Sequence, residues 1–303
     1  MAYQSPKKYR GHFSNTGFLF PAIMAFLSWS YVEGVSAWGE MTSATRFCEI
    51  NNYFTTYIAG FVNTLTNLAY VYLGVCGMSN SKQHPITNST SIRLCYMSLL
   101  VVGACSTIFH SNVKYFAQIL DQGSILLPTS TILYASFSFT LAPLPRLLLA
   151  SGLSLGSAIL VSYHAIYHSQ KIFGNVFLAL VFIIVARCMV LLSRVTDDKV
   201  KREMRSLVLF GGVLFVVGSV AFNVDRNYCA QLRAMREVVG IPLGFMLEMH
   251  GWWHIGSGLG VYYFIVLIEY LRIYIGTSGA EITLKWKSAL LLPRLEVQDT
   301  KTK

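Results

Sequence analysis

The stretch IFGNVFLALVFIIVARCMVLL, residues 172–192, carries one charge, Arg187, in 21 positions. An α-helix rises about 1.5 Å per residue, so about 20 apolar residues cross the roughly 30 Å hydrocarbon layer of a bilayer. Working outward, six more runs of that kind follow residue 50: Tyr57–Met78, Ile92–Ser111, Tyr115–Phe139, Leu147–Tyr167, Ser206–Asn223 and Gly251–Leu271. Gly152 and Gly156 interrupt the Leu147 run, and Pro128 marks a kink in the Tyr115 run. The connecting loops are short, so consecutive helices are expected to be antiparallel neighbours. The fold class that follows is all-α, a polytopic membrane protein with a seven-transmembrane-helix bundle over residues 38–290. Residues 291–303 read as a basic, disordered cytosolic tail.

Composition agrees. The 303 residues are 54% hydrophobic and 13% charged, against about 25% charged in soluble domains. Collagen, a coiled coil and a soluble DNA binder are excluded. The net charge of +10 therefore reads as membrane topology rather than nucleic-acid binding, and no obligatory protein partner is evident. An earlier apolar run, Gly17–Val32, follows the basic Lys7, Lys8 and Arg10 and ends near Val35-Ser36-Ala37. Two readings stay open for residues 1–37: a cleaved signal peptide, or a signal anchor retained as an eighth helix. Both place residues 38–56 on the lumenal side.

That start assigns the loops. Fourteen basic residues fall on the cytosolic side, among them Lys199, Lys201, Arg202 and Arg205, and six on the lumenal side, Arg46, Lys114, Lys171, Arg226, Arg233 and Arg236. The asymmetry puts the C-terminus in the cytosol. Cys48 and Cys229 then both face the lumen, where disulfides persist. A bridge between them would tie the N-terminal segment to the loop before the last helix; the alternative is two unpaired thiols. The sequon Asn88-Ser89-Thr90 falls on the cytosolic side and is expected to be unused.

Ionisable groups at membrane depth are costly and point to function. Ser106 and His110 stand four apart and share a helix face. Asp121 follows in the next span, so a turn at residues 111–114 lets it approach His110. His250 and His254, in His250-Gly251-Trp252-Trp253-His254, again share a face. Three imidazoles with an open fourth position describe a catalytic zinc site, whose water is acidified toward pH 7. A carboxylate can then handle the proton and a hydroxyl can stabilise an oxyanion. By residue type Asp121 and Ser106 fit those roles. The alternative is a set of interfacial histidines bonded to backbone, with the tryptophans forming an interface belt.

Among the other polar residues, Asn63, Thr64, Thr66 and Asn67 read as interhelical hydrogen-bonding groups. Arg187 reads as snorkelling and Glu269 as solvated at the cytosolic end of the last span. Glu248 is either a neighbour supporting the metal or exposed at the interface. For Asp225 three roles stay open: a partner for Arg226, a helix cap, or a neighbour of the Cys229 bridge.

Three stretches resemble the alkaline ceramidases, most closely the fungal phytoceramidase-like members. They are WGEMTSATRFCEINNYFTTYIAGFVNTLTNLAY (38–70), VVGACSTIFHSNVKYFAQILDQGSILLP (101–128), and AFNVDRNYC (221–229) with IPLGFMLEMHGWWHIGSGLGVYYF (241–264). The likeness covers residues 34–290. It implies zinc on His110, His250 and His254, acid/base chemistry at Asp121, transition-state stabilisation by Ser106 and a lumenal Cys48–Cys229 disulfide. The implied activity is hydrolysis of ceramide, phytoceramide or dihydroceramide, to a sphingoid base and a fatty acid in an endoplasmic reticulum or Golgi membrane. The substrate is a ceramide-type lipid reaching the pocket from the bilayer. The wider superfamily includes the progestin and adipoQ receptors, which keeps a lipid-sensing, receptor-like protein with little or no hydrolase activity as the alternative.

The chain departs from the family at its calcium site. Arg46 stands at an aspartate position, Phe47 at a tryptophan and Gly60 at a glutamate, while Glu49 and Asn51 remain. Calcium takes six to eight oxygen ligands, several from carboxylates, so calcium is not expected, and Arg46 is expected either to pair with Glu49 or a nearby acid or to stay free. Gln122, after Asp121, replaces a glutamate usual in the family.

Overall fold

The computed structural model describes residues 36–43, 45–83, 87–276, 282–287 and 292–297. Of the N-terminal segment 1–37 only its end is included, so the choice between signal peptide and eighth helix lies outside the described residues. The chain is mostly helical. The helices are α1 (Phe61–Thr66), α2 (Leu68–Ser81), α3 (Thr90–Asn112), α4 (Tyr115–Ser124), α5 (Leu126–Ser138), α6 (Pro143–Tyr167), α7 (Gln170–Ser193), α8 (Asp198–Asn227), α9 (Cys229–Val239) and α10 (Met249–Gly276). A 3-10 turn, Leu243–Leu247, precedes α10.

Five helices, α3, α6, α7, α8 and α10, are long and apolar enough to cross a membrane. The other two expected spans are interrupted. Asn67 alone separates α1 from α2, and Ile125 alone separates α4 from α5. Each break has a local cause. The Thr66 hydroxyl bonds back to the carbonyls of Val62 and Asn63 at 2.9 and 3.1 Å, a pattern that bends helices. Pro128 has no N–H to offer the carbonyl one turn back, at Ser124, and its ring crowds that carbonyl. Helix limits elsewhere run past the apolar stretches because caps set them. Asp197 accepts from the backbone N–H of Lys199 and Val200 at 2.8 and 3.0 Å, so α8 starts among charged residues. Pro143 lies in the first turn of α6.

The most enclosed helix is α10, packed against α8 through small residues. A Cβ on Gly256 would sit 2.8 Å from the Leu214 carbonyl oxygen, and one on Gly260 would sit 2.9 Å from that of Gly211. Such contacts let two backbones approach where the hydrophobic effect offers no attraction between helices. By contrast α6 exposes Leu144, Leu147, Leu148, Leu155 and Ile159 along its length, as a lipid-facing helix does.

Four expectations need correcting. The all-α reading misses an antiparallel strand pair, β1 (Ile282–Lys287) and β2 (Leu292–Val297), with Leu284 opposite Leu295. The tail from residue 291 is therefore not wholly disordered. Leu284, Leu292 and Leu295 are buried in the main core, and Tyr262 donates its hydroxyl to the Pro293 carbonyl at 3.1 Å. Glu269 is not solvated: it is buried at 5% exposure and accepts from the Tyr96 hydroxyl at 3.2 Å, because α10 is surrounded even near its C-terminal end. Arg187 does not simply snorkel. Its guanidinium bonds the Ser136 carbonyl and the Thr140 hydroxyl at 3.2 and 3.0 Å across to α5 and the turn after it.

Candidate metal centre and catalytic cavity

Three helices bring the chemistry together. α3 ends at Asn112 and turns through Val113, whose φ of 51° and ψ of 37° are left-handed, a conformation costly for a β-branched residue. The turn is held by the Lys114 N–H on the Asn112 side-chain oxygen at 2.8 Å and the Tyr115 N–H on the Thr42 hydroxyl at 2.9 Å. It returns the chain as α4, so Asp121 stands beside Ser106, one turn before His110 on α3. α10 supplies His250 and His254 from successive turns.

The three histidines converge. Ring centroids of His110, His250 and His254 lie 5.0, 5.0 and 4.6 Å apart, and each ring offers one nitrogen within 4.8 Å of the others. All three are buried. His110 Nε2 and His250 Nδ1 have no hydrogen-bond partner, while His254 Nδ1 lies 2.9 Å from the Thr66 hydroxyl. A buried polar atom without a partner costs about 1–3 kcal/mol. Two such nitrogens beside a third imidazole are what a shared metal ion would satisfy, so the residues fit a metal. Imidazole donors with room for a fourth ligand are compatible with zinc.

Ser106, Asp121, His250 and His254 line a cavity of about 330 Å³ whose rim carries Asn223 and Arg226. It shares Tyr70, Val102, Ile125, Phe177 and Trp253 with a second, largely apolar cavity of about 350 Å³ between α3, α5, α7, α8 and α10. The two cavities thus meet along these shared residues, of which Tyr70 has its ring centroid 6.2 Å from that of His254.

The segment around Cys48, with α9, builds the wall behind the histidines. Cys48 and Cys229 form a disulfide, Cα–Cα 5.1 Å. Asp225 lies near this bridge, the third of its open roles: its carboxylate accepts from the Cys48 N–H at 3.0 Å and from the His250 N–H at 3.3 Å. Arg236, buried, donates to Glu248 at 2.7 Å and to the Cys48 carbonyl at 3.4 Å, and Arg233 donates to the same carbonyl at 3.0 Å. Glu248 is therefore not exposed, but the acid of a buried pair. Burial pushes its carboxyl up to about 8, the neighbouring Glu49 adding to this and Arg236 opposing it.

The positions that the resemblance assigns to calcium have other work. Glu49 does not pair with Arg46. Its two oxygens accept the Val62 and Asn63 N–H groups at 2.6 and 2.9 Å, capping the start of α1. Such a helix end offers unpaired donors and a positive dipole to a carboxylate. Burial nevertheless raises the Glu49 carboxyl to about 7, against the pull of those two N–H donors and Arg236. Arg46 is exposed, with Met41 sulfur 3.9 Å away; Asn51 also turns to that sulfur, at 3.2 Å. Gly60 donates its N–H to the His110 carbonyl at 2.8 Å. Phe47 stacks on His250 with centroids 3.9 Å apart and lies 5.0 Å from His110. Its contact with the histidines crosses more than 60 residues to His110 and had no signal in the local sequence. The Gln122 side-chain oxygen accepts from His164 Nε2 at 2.6 Å, and its amide nitrogen donates to Gln170 at 3.2 Å.

The family model described as Ceramidase matches residues 39–296. The chain is 29% identical over 267 residues to alkaline ceramidase YPC1 of Saccharomyces cerevisiae, covering 82% of this chain and 84% of that protein. It is 30% identical over 242 residues to alkaline ceramidase 3 of Mus musculus, covering 78% and 86%. A putative alkaline ceramidase, dcd3A, of Dictyostelium discoideum is 29% identical over 265 residues, covering 77% and 87%.

Proposed function

The chain belongs to the ceramidase family of hydrolases acting on the amide bond of ceramide, and from that premise we propose that His110, His250 and His254 hold a zinc ion at which this amide is cleaved. The observation that carries the reading is the convergence of three buried imidazoles, two with unpartnered nitrogens, beside Ser106 and Asp121. A bound zinc would supply Lewis acidity and a water of lowered pKa.

The protein's own groups do the rest. Asp121 takes a proton from the attacking water and returns it to the departing amine nitrogen. Ser106 donates to the carbonyl oxygen as that oxygen gains negative charge. The apolar cavity receives hydrocarbon chain from the bilayer, while the polar end accommodates the amide and hydroxyl-bearing head. Phe47 walls the histidines from the lumen.

In this reading α1 with α2, and α4 with α5, each cross the bilayer as one interrupted helix, giving seven spans over residues 38–290. The disulfide side faces the lumen of the endoplasmic reticulum or Golgi, and the C-terminus faces the cytosol. Calcium has no place in it. Glu49 is committed to the helix start, Asn51 to a sulfur, Gly60 has no side chain, and Arg46 adds positive charge. The named relatives favour a hydrolase over the receptor-like reading.

The test is release of fatty acid from ceramide by purified protein. Asp121→Asn is expected to lower the rate by about 10²–10⁴-fold and Ser106→Ala by about 10²–10³-fold, both variants still binding zinc. Unchanged turnover in Asp121→Asn would remove the assigned acid/base role.

A further inference from the structure

We infer that Thr66 is a positioning residue that fixes which nitrogen of His254 faces the metal, an inference that rests on the metal reading above. Thr66 Oγ1 has one proton, and two backbone carbonyls, those of Val62 and Asn63, stand 2.9 and 3.1 Å from it. A carbonyl only accepts, so the hydroxyl proton goes to one of them. The hydroxyl oxygen then accepts from the third neighbour, His254 Nδ1, at 2.9 Å. The Thr66 contact therefore calls for a proton on Nδ1, which leaves the lone pair on Nε2. That is the tautomer a metal ligand needs, and a partner on the far nitrogen is what orients such a ring.

The sequence builds this contact in two places. Thr66 ends α1, whose first turn Glu49 caps through the Val62 and Asn63 N–H groups. The lumenal segment thus sets the carbonyls that take the Thr66 proton. On the other side stands Gly251, between the two histidines of α10. A Cβ there would lie 3.1 Å from the Thr66 methyl and 3.4 Å from its hydroxyl oxygen. The missing side chain lets α1 come close enough for Thr66 to reach the ring.

The experiment compares Thr66→Val, which keeps the shape and removes the hydroxyl, with Thr66→Ser, which keeps the hydroxyl. Zinc alone is the probe, its affinity measured by competition with a chromophoric chelator on detergent-solubilised full-length protein. Thr66→Val is expected to bind zinc about 10–100-fold more weakly, with Thr66→Ser restored to near the wild-type affinity. Equal affinity in wild type and Thr66→Val overturns the inference while leaving the metal site standing. A wild-type protein that binds no zinc overturns the reading beneath it instead. A second measurement needs no variant at position 66: in ¹⁵N-histidine-labelled protein the His254 resonances, assigned by their loss in His254→Gln, should show the proton on Nδ1. A proton on Nε2 overturns the inference.

Discussion

Gly256 gives the sharpest test of how the site is held, because α10 carries two of the three histidines and Gly256 follows His254 by two residues. Adding one methyl group there places a Cβ 2.8 Å from the Leu214 carbonyl oxygen and 2.9 and 3.0 Å from the Gly218 Cα and N. All three are backbone atoms of α8, so no side chain can swing away. Carbon–carbon contacts are optimal at about 3.5–4.0 Å, and the helices must part by several tenths of an ångström. Overpacking of that sort typically costs about 1–3 kcal/mol. Against it stands the gain of about 1 kcal/mol that alanine has over glycine in a helix interior. Gly212→Ala, on the α8 partner helix, isolates that gain, since nothing lies within 4 Å of its added Cβ. Thermal unfolding in detergent should therefore move in opposite directions, down for Gly256→Ala and level or slightly up for Gly212→Ala. Zinc affinity should fall in Gly256→Ala alone. Equal unfolding temperatures in the two variants would refute the close α8–α10 crossing.

Three further outcomes follow. Glu49, raised from 4.5 to about 7 by burial, is a group whose contribution to stability is fully present below about pH 4.5 and is lost as pH rises through about 7; the fall in unfolding temperature across that window should be shallower in Glu49→Gln, and identical slopes would contradict the buried placement. Reduction of the Cys48–Cys229 bridge, which closes a separation of 181 residues, removes an entropic constraint of up to about 5 kcal/mol, less to the extent that the membrane already confines the unfolded chain; thermal inactivation should accelerate with reductant in wild type and not in the Cys48→Ser/Cys229→Ser protein. Leu295→Asp, which buries a charge where β2 meets the core, should lower the unfolding temperature and leave residues 282–297 open to protease, and a tail equally protected in wild type and variant would argue against the strand pair.

Much of this was legible in the sequence, and the reason is the bilayer. A hydrocarbon solvent forces long apolar helices, so the five longest announce themselves by length and composition. His250 and His254 are paired by helix periodicity, and Ser106, His110 and Asp121 by one short turn, so each half of the candidate site needed only local geometry, while joining the halves rested on the family resemblance. What stayed hidden depends on distance along the chain. Thr66 meets His254 across 188 residues, and Phe47 meets His250 across about 200. The role of Glu49 as a helix cap was masked by its place in a motif known for something else. Glu269 looked solvated because its position near a helix end says nothing of the neighbours around it. The strand pair was missed because charged Lys285 and Arg294 suggested a tail, although Ile282, Leu284 and Trp286 do alternate in the manner of a half-buried strand.

The central claim is that three imidazoles hold a zinc ion that ceramide cleavage requires. The direct measurement is zinc content together with fatty-acid release from ceramide, on the same purified wild-type and His250→Ala samples. The account predicts about one zinc per wild-type chain, turnover that is lost on chelation and recovered with added zinc, and neither zinc nor turnover in the variant. Ceramide cleaved at full rate by metal-free protein, or by His250→Ala, would contradict it.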